Sequence, residues 1–407
     1  MTRLAGSARI ALLACVLTGL TVVTTIEPAQ ATIAPRKSHM AFATWQGAAR
    51  SDAMQLVGTP RRWKTPRPGP RPTTTAATPA TTVPGAPMPS TASVQPSTNP
   101  YLAPTASIFG AASIWRENIS AAPLAADSAV QVADLARQVR DNYGGRAAFN
   151  NGAYSVGYVT APAGTPLTTV AFNNCQGKSY TPSGLYDGVK NFVGVPIPGN
   201  ALAAPGSDHN LTVWSPSTDQ LWEFWVATPT ATGWSACWGG RLDHVSTALG
   251  YFGGGMGTTA TGLSHAGGMV RVQELRAGAI DHAISLNVID AAAFWRYSWP
   301  AQRSDGYDPN GVHPIAEGTR FRLDPSVNVD TLDLHPVARM IAKAAQKYGF
   351  IVQDKGGAVA VIGENGGGAA GGVNPWGEVL AGTPSYAVLQ GFPWDRLQAL
   401  PKNYGKR

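Results

Sequence analysis

The chain has 407 residues, with 31 Lys and Arg against 24 Asp and Glu, a formal net charge of +7 at pH 7. The excess is local: residues 1–106 carry ten basic and two acidic side chains, and residues 107–407 carry twenty-one and twenty-two. The larger part therefore lacks the basic balance of a nucleic-acid-binding domain, and its roughly 300 residues suffice for one large domain.

Residues 1–31 read as a secretory leader. Arg3 and Arg9 precede an apolar run over 10–26, and Ala29-Gln30-Ala31 offers a small-x-small cleavage site. Leu12-Leu13-Ala14-Cys15 offers a rival lipoprotein site, but cleavage there would split the apolar run. The expectation is a mature protein that is secreted, extracellular or associated with the cell envelope. Residues 32–107, rich in Pro and Thr and poor in large aliphatics, read as a disordered basic linker. Arg61, Arg62, Lys64, Arg67 and Arg71 would either hold it against an anionic envelope or simply keep it soluble.

A single globular domain is expected over 108–407, as a monomer. Residues 127–139 read as a helix with Asp127 at the cap position and an apolar face of Val130, Ala133, Leu135 and Val139. Short β-type runs follow (YSVGYV, LTTVAF, NFVGVPI), and LTVW and LWEFW are spaced as a hairpin around Pro216 and Asp219. MVRVQELRAG suits one or two helical turns stopped by Gly278. Residues 280–288 alternate, with Ile280, His282, Ile284, Leu286 and Val288 on one side. TRFRL is another strand, and residues 336–348 form the clearest helix, opened by Pro336 and stopped by Gly349. FIVQD and AVAVI read as a second hairpin, followed by a flexible Gly-rich loop at 363–373. Many short strands without βα alternation predict a mostly β fold, an antiparallel jelly-roll-like sandwich with a few peripheral helices.

Residues 208–243 hold five of the twelve Trp: Trp214, Trp222, Trp225, Trp234 and Trp238. Indole rings supply flat apolar faces suited to sugar rings, or they fill a core. Asp208, His209, Glu223, Arg241 and Asp243 lie among them. Glu223, on an otherwise apolar strand, is the first candidate acid, because desolvation raises a carboxyl pKa toward neutrality. A structural Glu paired with Arg241 is the alternative. His282 is a candidate base near Asp281 and Glu274, or a core histidine, and His209 is a third catalytic candidate. Gly262-Leu263-Ser264-His265-Ala266-Gly267 brushes against a nucleophile-elbow pattern but departs at Ala266 and lacks a leading strand. After leader cleavage Cys175 and Cys237 remain, either as a disulfide or as two free thiols; no residues have metal-site spacing, and no metal or cofactor is expected.

Taken together, DHNLTVWSPSTDQLWEFW, GWSACWGGRLD, ELRAGAIDHA, WPAQRSDG, GTRFRLDP and AAQKYGFIVQD resemble an uncharacterised family of exported bacterial proteins, frequent in actinobacteria. The resemblance spans about residues 113–364 and implies one intact exported domain without implying a reaction. It points to the same positions: Asp208, His209, Glu223, Trp225, Glu274, Asp281 and His282. The expected function is carbohydrate-directed, with a polysaccharide or other glycan as partner. A glycoside hydrolase or polysaccharide lyase would use Glu223 with His282 or His209. A non-catalytic binder would use the Trp residues alone, and a glutamic-type peptidase is a third option.

Overall fold

The computed structural model describes residues 107–366 and 374–406. The leader, nearly all of the linker expected over 32–107, and residues 367–373 of the Gly-rich run lie outside them. Among the described residues, thirteen strands form three sheets. Five α-helices accompany them: α1 (Ser128–Asp141), α2 (His265–Gly268), α3 (Val272–Ala277), α4 (Pro336–Lys347) and α5 (Trp376–Leu380). No described helix is long and apolar enough to cross a membrane.

The largest sheet has six strands in the order β1 (Ala148–Asn150), β12 (Ala360–Ile362), β9 (Ile284–Val288), β11 (Phe350–Lys355), β10 (Arg320–Leu323) and β13 (Leu397–Ala399). A four-stranded sheet runs β2 (Gly157–Thr160), β4 (Leu211–Ser215), β5 (Gln220–Trp225), β8 (Trp238–Asp243). A small third sheet is β3 (Ala171–Phe172), β7 (Gly233–Ala236), β6 (Thr228–Thr230). The mostly β expectation holds, but every sheet is mixed: β1/β12, β9/β11, β2/β4 and β3/β7 pair in parallel. Parallel neighbours need a crossover of a dozen or more residues, and every one of these pairs is joined by a longer connection. Between β9 and β11 the crossover carries α4. Pro336 sets the first turn of that helix, and the His335 side chain caps it, with Nδ1 accepting from Val337 N–H at 3.2 Å.

The LTVW/LWEFW hairpin forms as expected, with Ser215 opposite Gln220. The FIVQD/AVAVI hairpin does not. β9 inserts between β11 and β12, pairing parallel with one and antiparallel with the other. The inserted strand is buried on both faces, which gives it two partners where a hairpin would leave each arm with one. The first helix, α1, is also turned from its expected face: Leu135, Val132 and Val139 are buried with Gln131 and Gln138, while Val130 is exposed. Gln138 accounts for this, because its side chain accepts from Ile289 and Asp290 N–H at the end of β9.

Alternation divides the core into layers. Ile284, Leu286, Phe350 and Val352 join the helices α1 and α4 on one face of the six-stranded sheet. Ala283, Ile351 and Ile362 face Leu221 of β5 and Trp115 on the other. Trp222 and Phe224, on the reverse of β5, pack on Leu185, Phe192 and Ala236. The space between the six- and four-stranded sheets is filled by residues 250–268, which include the short helix α2. Cys175 and Cys237 form a disulfide, with Cα atoms 5.4 Å apart, that ties the loop after β3 to the β7–β8 junction.

Candidate functional site

Glu223 lies on the face of β5 that looks into this inter-sheet space and is 1% exposed. Its Oε1 accepts from Ser264 Oγ at 2.7 Å and Ala266 N–H at 2.9 Å; its Oε2 accepts from His265 N–H at 3.1 Å and Thr258 Oγ1 at 3.3 Å. Burial pushes its pKa up, and the Ala266, Ser264, His265 and Thr258 donors oppose that. Two backbone N–H groups and two hydroxyls surround both oxygens and fix the carboxyl between the sheets. The residue anchors the 258–266 segment, and its partners are these donors rather than the Arg241 expected as its structural partner. Ser264, within the 262–267 run, is buried and donates its hydroxyl to Glu223.

The anchor continues through a buried polar chain. His265 Nδ1 accepts from Gln353 Nε2 at 2.8 Å, and the Ser285 hydroxyl donates to Gln353 Oε1. Burial lowers the His265 pKa to about 4, so the ring is neutral at ordinary pH. The β9/β11 register slips between Val352 and Asp354. This bulge turns two successive side chains, Gln353 and Asp354, toward the inter-sheet segment: Gln353 reaches His265, and Asp354 Oδ2 accepts from Ala260 N–H at 2.9 Å. Such bulges re-aim side chains where a regular strand would alternate them.

Asp354 has two acidic neighbours that sequence reasoning did not select. Asp305, Glu317 and Asp354 each bring a carboxylate oxygen within 4.8 Å of the others. Gly318 holds Glu317 in place: at φ +86° it donates its N–H to Val352 O of β11, and a Cβ there would strike the Ser298 carbonyl. Asp305 donates its backbone N–H to Glu317 Oε2 at 3.0 Å. Burial, with the Asp305 charge next in weight, raises the Asp354 pKa to about 7. Burial with the Asp305 and Asp354 charges raises Glu317 well above the carboxylate range, against the opposing pull of the Ser304 hydroxyl and Asp305 N–H. The nearby Arg303 makes its hydrogen bonds to main-chain carbonyls of Gly255, Gly257, Thr259 and Ala260. No sequence spacing signals this cluster, because its acids are 12 and 37 positions apart along the chain; only the RSDG and VQD segments within the family-like motifs touch it.

The Trp residues divide by role. Trp222 is buried, Trp214 packs beside Leu221 and Val245, and Trp234 packs beside the Phe192 cluster. Trp225 and Trp238 are Cα partners across β5 and β8, are half-buried, and belong to none of these core clusters. Trp225 donates its N–H to Asp208 Oδ1 at 3.3 Å, and Trp238 donates to Gly255 O at 3.1 Å, the carbonyl that Arg303 also binds. Lys178 lies over the Trp238 ring, 5.8 Å from its centroid. Burial raises the pKa of Asp208, and its charge contributes to the shift of Asp354, so both lie in one acidic neighbourhood. Arg241 and Asp243 pair with each other at 3.1 Å at the opposite end of β8 from Trp238.

His282 lies elsewhere. Alternation puts it on the helix-covered face of the six-stranded sheet, with Ile280 and Ile284, opposite the face Glu223 looks toward. Its Nδ1 is 2.8 Å from Ala283 O and its Nε2 3.2 Å from Glu274, which also pairs with Arg271 at 2.7 Å. Burial alone would raise Glu274, but the His282 and Arg271 charges hold it near 2. All three are almost wholly buried, so His282 is a core histidine in contact with Glu274 and the Ala283 carbonyl, and the expected Glu223–His282 pairing is not formed. His209 is exposed at φ +41°, and Asp281 is exposed. Of the positions chosen from sequence, the fold brings together Asp208, Trp225 and Trp238, with the exposed His209 next to Asp208. Glu223, two residues from Trp225 on β5, is enclosed between the sheets, Trp214, Trp222 and Trp234 pack in or against the core, and His282, Arg241 and Asp243 lie elsewhere. No family model, curated protein or solved structure matches the chain.

Proposed function

We propose that the chain is an exported saccharide-binding protein whose glycan-contacting face is the Trp225–Trp238 pair with Asp208. One observation carries the reading: two cross-strand indoles that pack in no core cluster, each with its N–H already engaged, stand beside a carboxylate. Engaged N–H groups fix the ring planes, and a fixed aromatic plane stacks on a sugar ring with little ordering cost. Asp208 supplies an acceptor for sugar hydroxyls. Export rests on the leader at 1–31. A jelly-roll strand order, the finer fold expected from sequence, is not required; the face needs only β5, β8 and the loop around Gly255. The enclosure of Glu223 weighs against a hydrolase, a lyase or a glutamic-type peptidase built on that residue.

The test is a panel of bacterial and plant polysaccharides, immobilised and titrated with the protein. Saturable binding to at least one glycan is expected, weakened roughly tenfold by Trp225→Ala and by Trp238→Ala, since a stacking contact is worth about 1.5 kcal/mol. Parallel incubations should release no reducing ends and no ultraviolet-absorbing product. Binding unchanged in both variants would remove the platform, and released product would replace the binder with an enzyme.

A further inference from the structure

The three-carboxylate cluster is not needed by the aromatic platform, and it sets the buried Glu317 beside Asp354 and the exposed Asp305, with the positive charge of Arg303 close enough to act on all three. Like charges at this range repel strongly where water is scarce. Among the described residues, no ion pair includes Asp305, Glu317 or Asp354. Arg303 offsets part of the repulsion by its charge, but its hydrogen bonds go to main-chain carbonyls, and one positive charge does not balance three negative ones. A second observation is independent of the clustering. Glu317 is 0% exposed, its Oε2 is occupied by Asp305 N–H, and its Oε1 is buried with no hydrogen-bond partner. A buried carboxylate oxygen without a donor loses its hydration and gains nothing in exchange. That oxygen belongs to a carboxylate held within 4.8 Å of the other two.

We infer that Asp305, Glu317 and Asp354 form a binding site for a divalent cation. The donors are all oxygen, so a hard ion of the calcium, magnesium or manganese type fits, and zinc or copper sites built on Cys or His do not. The cation takes the free Oε1 of Glu317 as a ligand and cancels the repulsion among the three carboxylates. Asp305 is exposed, so the ion has a path from solvent and room to keep water ligands. Asp354 is held by Ala260 and Lys355 N–H, and Glu317 by Asp305 N–H, so most of the site stands formed before the ion arrives. No metal is expected from motif spacing in the sequence, and these acids come from three separate segments. The inference stands apart from the saccharide reading, and it is tested without any glycan.

The experiment uses the full chain after chelator treatment, titrated with calcium, magnesium or manganese chloride by calorimetry and by thermal unfolding. Saturable binding of one ion is expected, with dissociation constants up to ~1 mM in keeping with extracellular oxygen-ligand sites. Tm should rise by roughly 5 °C at a hundredfold excess over Kd. Glu317→Gln and Asp305→Asn should each remove the response, and Asp305→Asn should also raise the Tm of the ion-free protein, because it deletes one of the repelling charges. Asp305 is on the surface, so its variant folds even if the buried one does not. Absence of saturable binding by the unsubstituted protein would overturn the inference, as would a response that survives in Asp305→Asn.

Discussion

At the scale of single residues, Glu223 and His265 are buried polar groups whose hydrogen bonds tie the segment between the two sheets to both of them. Glu223 satisfies four donors in the closed layer between two sheets. Glu223→Gln replaces one acceptor oxygen by an NH2 group facing a donor, so a loss of about 1–3 kcal/mol in unfolding free energy is expected. Glycan binding should be retained at temperatures where the variant stays folded; denaturant unfolding read beside the binding assay checks both. His265 carries a pH signature of its own. Its pKa falls from 6.5 in the unfolded chain to about 4 in the fold. The unfolded chain therefore binds more protons over that interval, so the contribution is full above pH 6.5 and is lost as pH falls through 4. At about 1.36 kcal/mol per unit it amounts to about 3 kcal/mol. Unfolding free energies measured from about pH 7 down to pH 4 should slope accordingly, and His265→Asn, which keeps an acceptor toward Gln353, should flatten the slope.

At the scale of elements, legibility followed how local the determining signal is. The hairpin of β4 and β5, the helix Pro336–Lys347 and the turn at Gly278 are set by residues within a few positions of each other, and all three were readable. The partner of FIVQD was not, because β9 lies some 60 positions upstream and nothing in either strand names its neighbour. The same holds for the acid cluster. Its geometry depends on a bulge at Gln353, and the signal for that bulge lies in tertiary partners, His265 and Ser285. The alternation rule predicted His282 and Ile284 on one side correctly; what it could not supply was which side faced Glu223. Gln353 offers a direct check on the bulge. Gln353→Leu removes both bonds, leaving the Ser285 hydroxyl buried without a partner at a cost of about 1–3 kcal/mol. If the bulge aims Asp354, this variant should also weaken divalent-cation binding although no ligand has changed. Calorimetric titration of a folded Gln353→Leu protein with undiminished affinity would show that Asp354 is positioned independently of it.

At the scale of the whole molecule, stability is spread unevenly over the three sheets. The six-stranded sheet has a central strand buried on both faces and a helix-covered side. The three-stranded sheet is built from strands of two to four residues, and β6 is exposed along its whole length. Few buried contacts hold such a sheet, so it belongs to the low end of local opening free energies. The Cys175–Cys237 bridge compensates at that point: it closes a span with a sequence separation of 62 and fastens the loop after β3 to the strands that carry Trp234 and Trp238. Loop-closure entropy for a span of this length gives about 4 kcal/mol if the native geometry is unstrained. Replacing both cysteines by Ser should therefore lower the unfolding free energy by about that amount. The loosening should be local, with amide exchange accelerating first in residues 171–172 and 228–236 and last in β9 and β11. Because Trp238 follows Cys237 directly, glycan affinity should fall in the same variant, while cation binding at Asp305, Glu317 and Asp354 should persist. Uniform acceleration across all three sheets would mean that the molecule opens as one cooperative unit, and that the small sheet is no weaker than the rest.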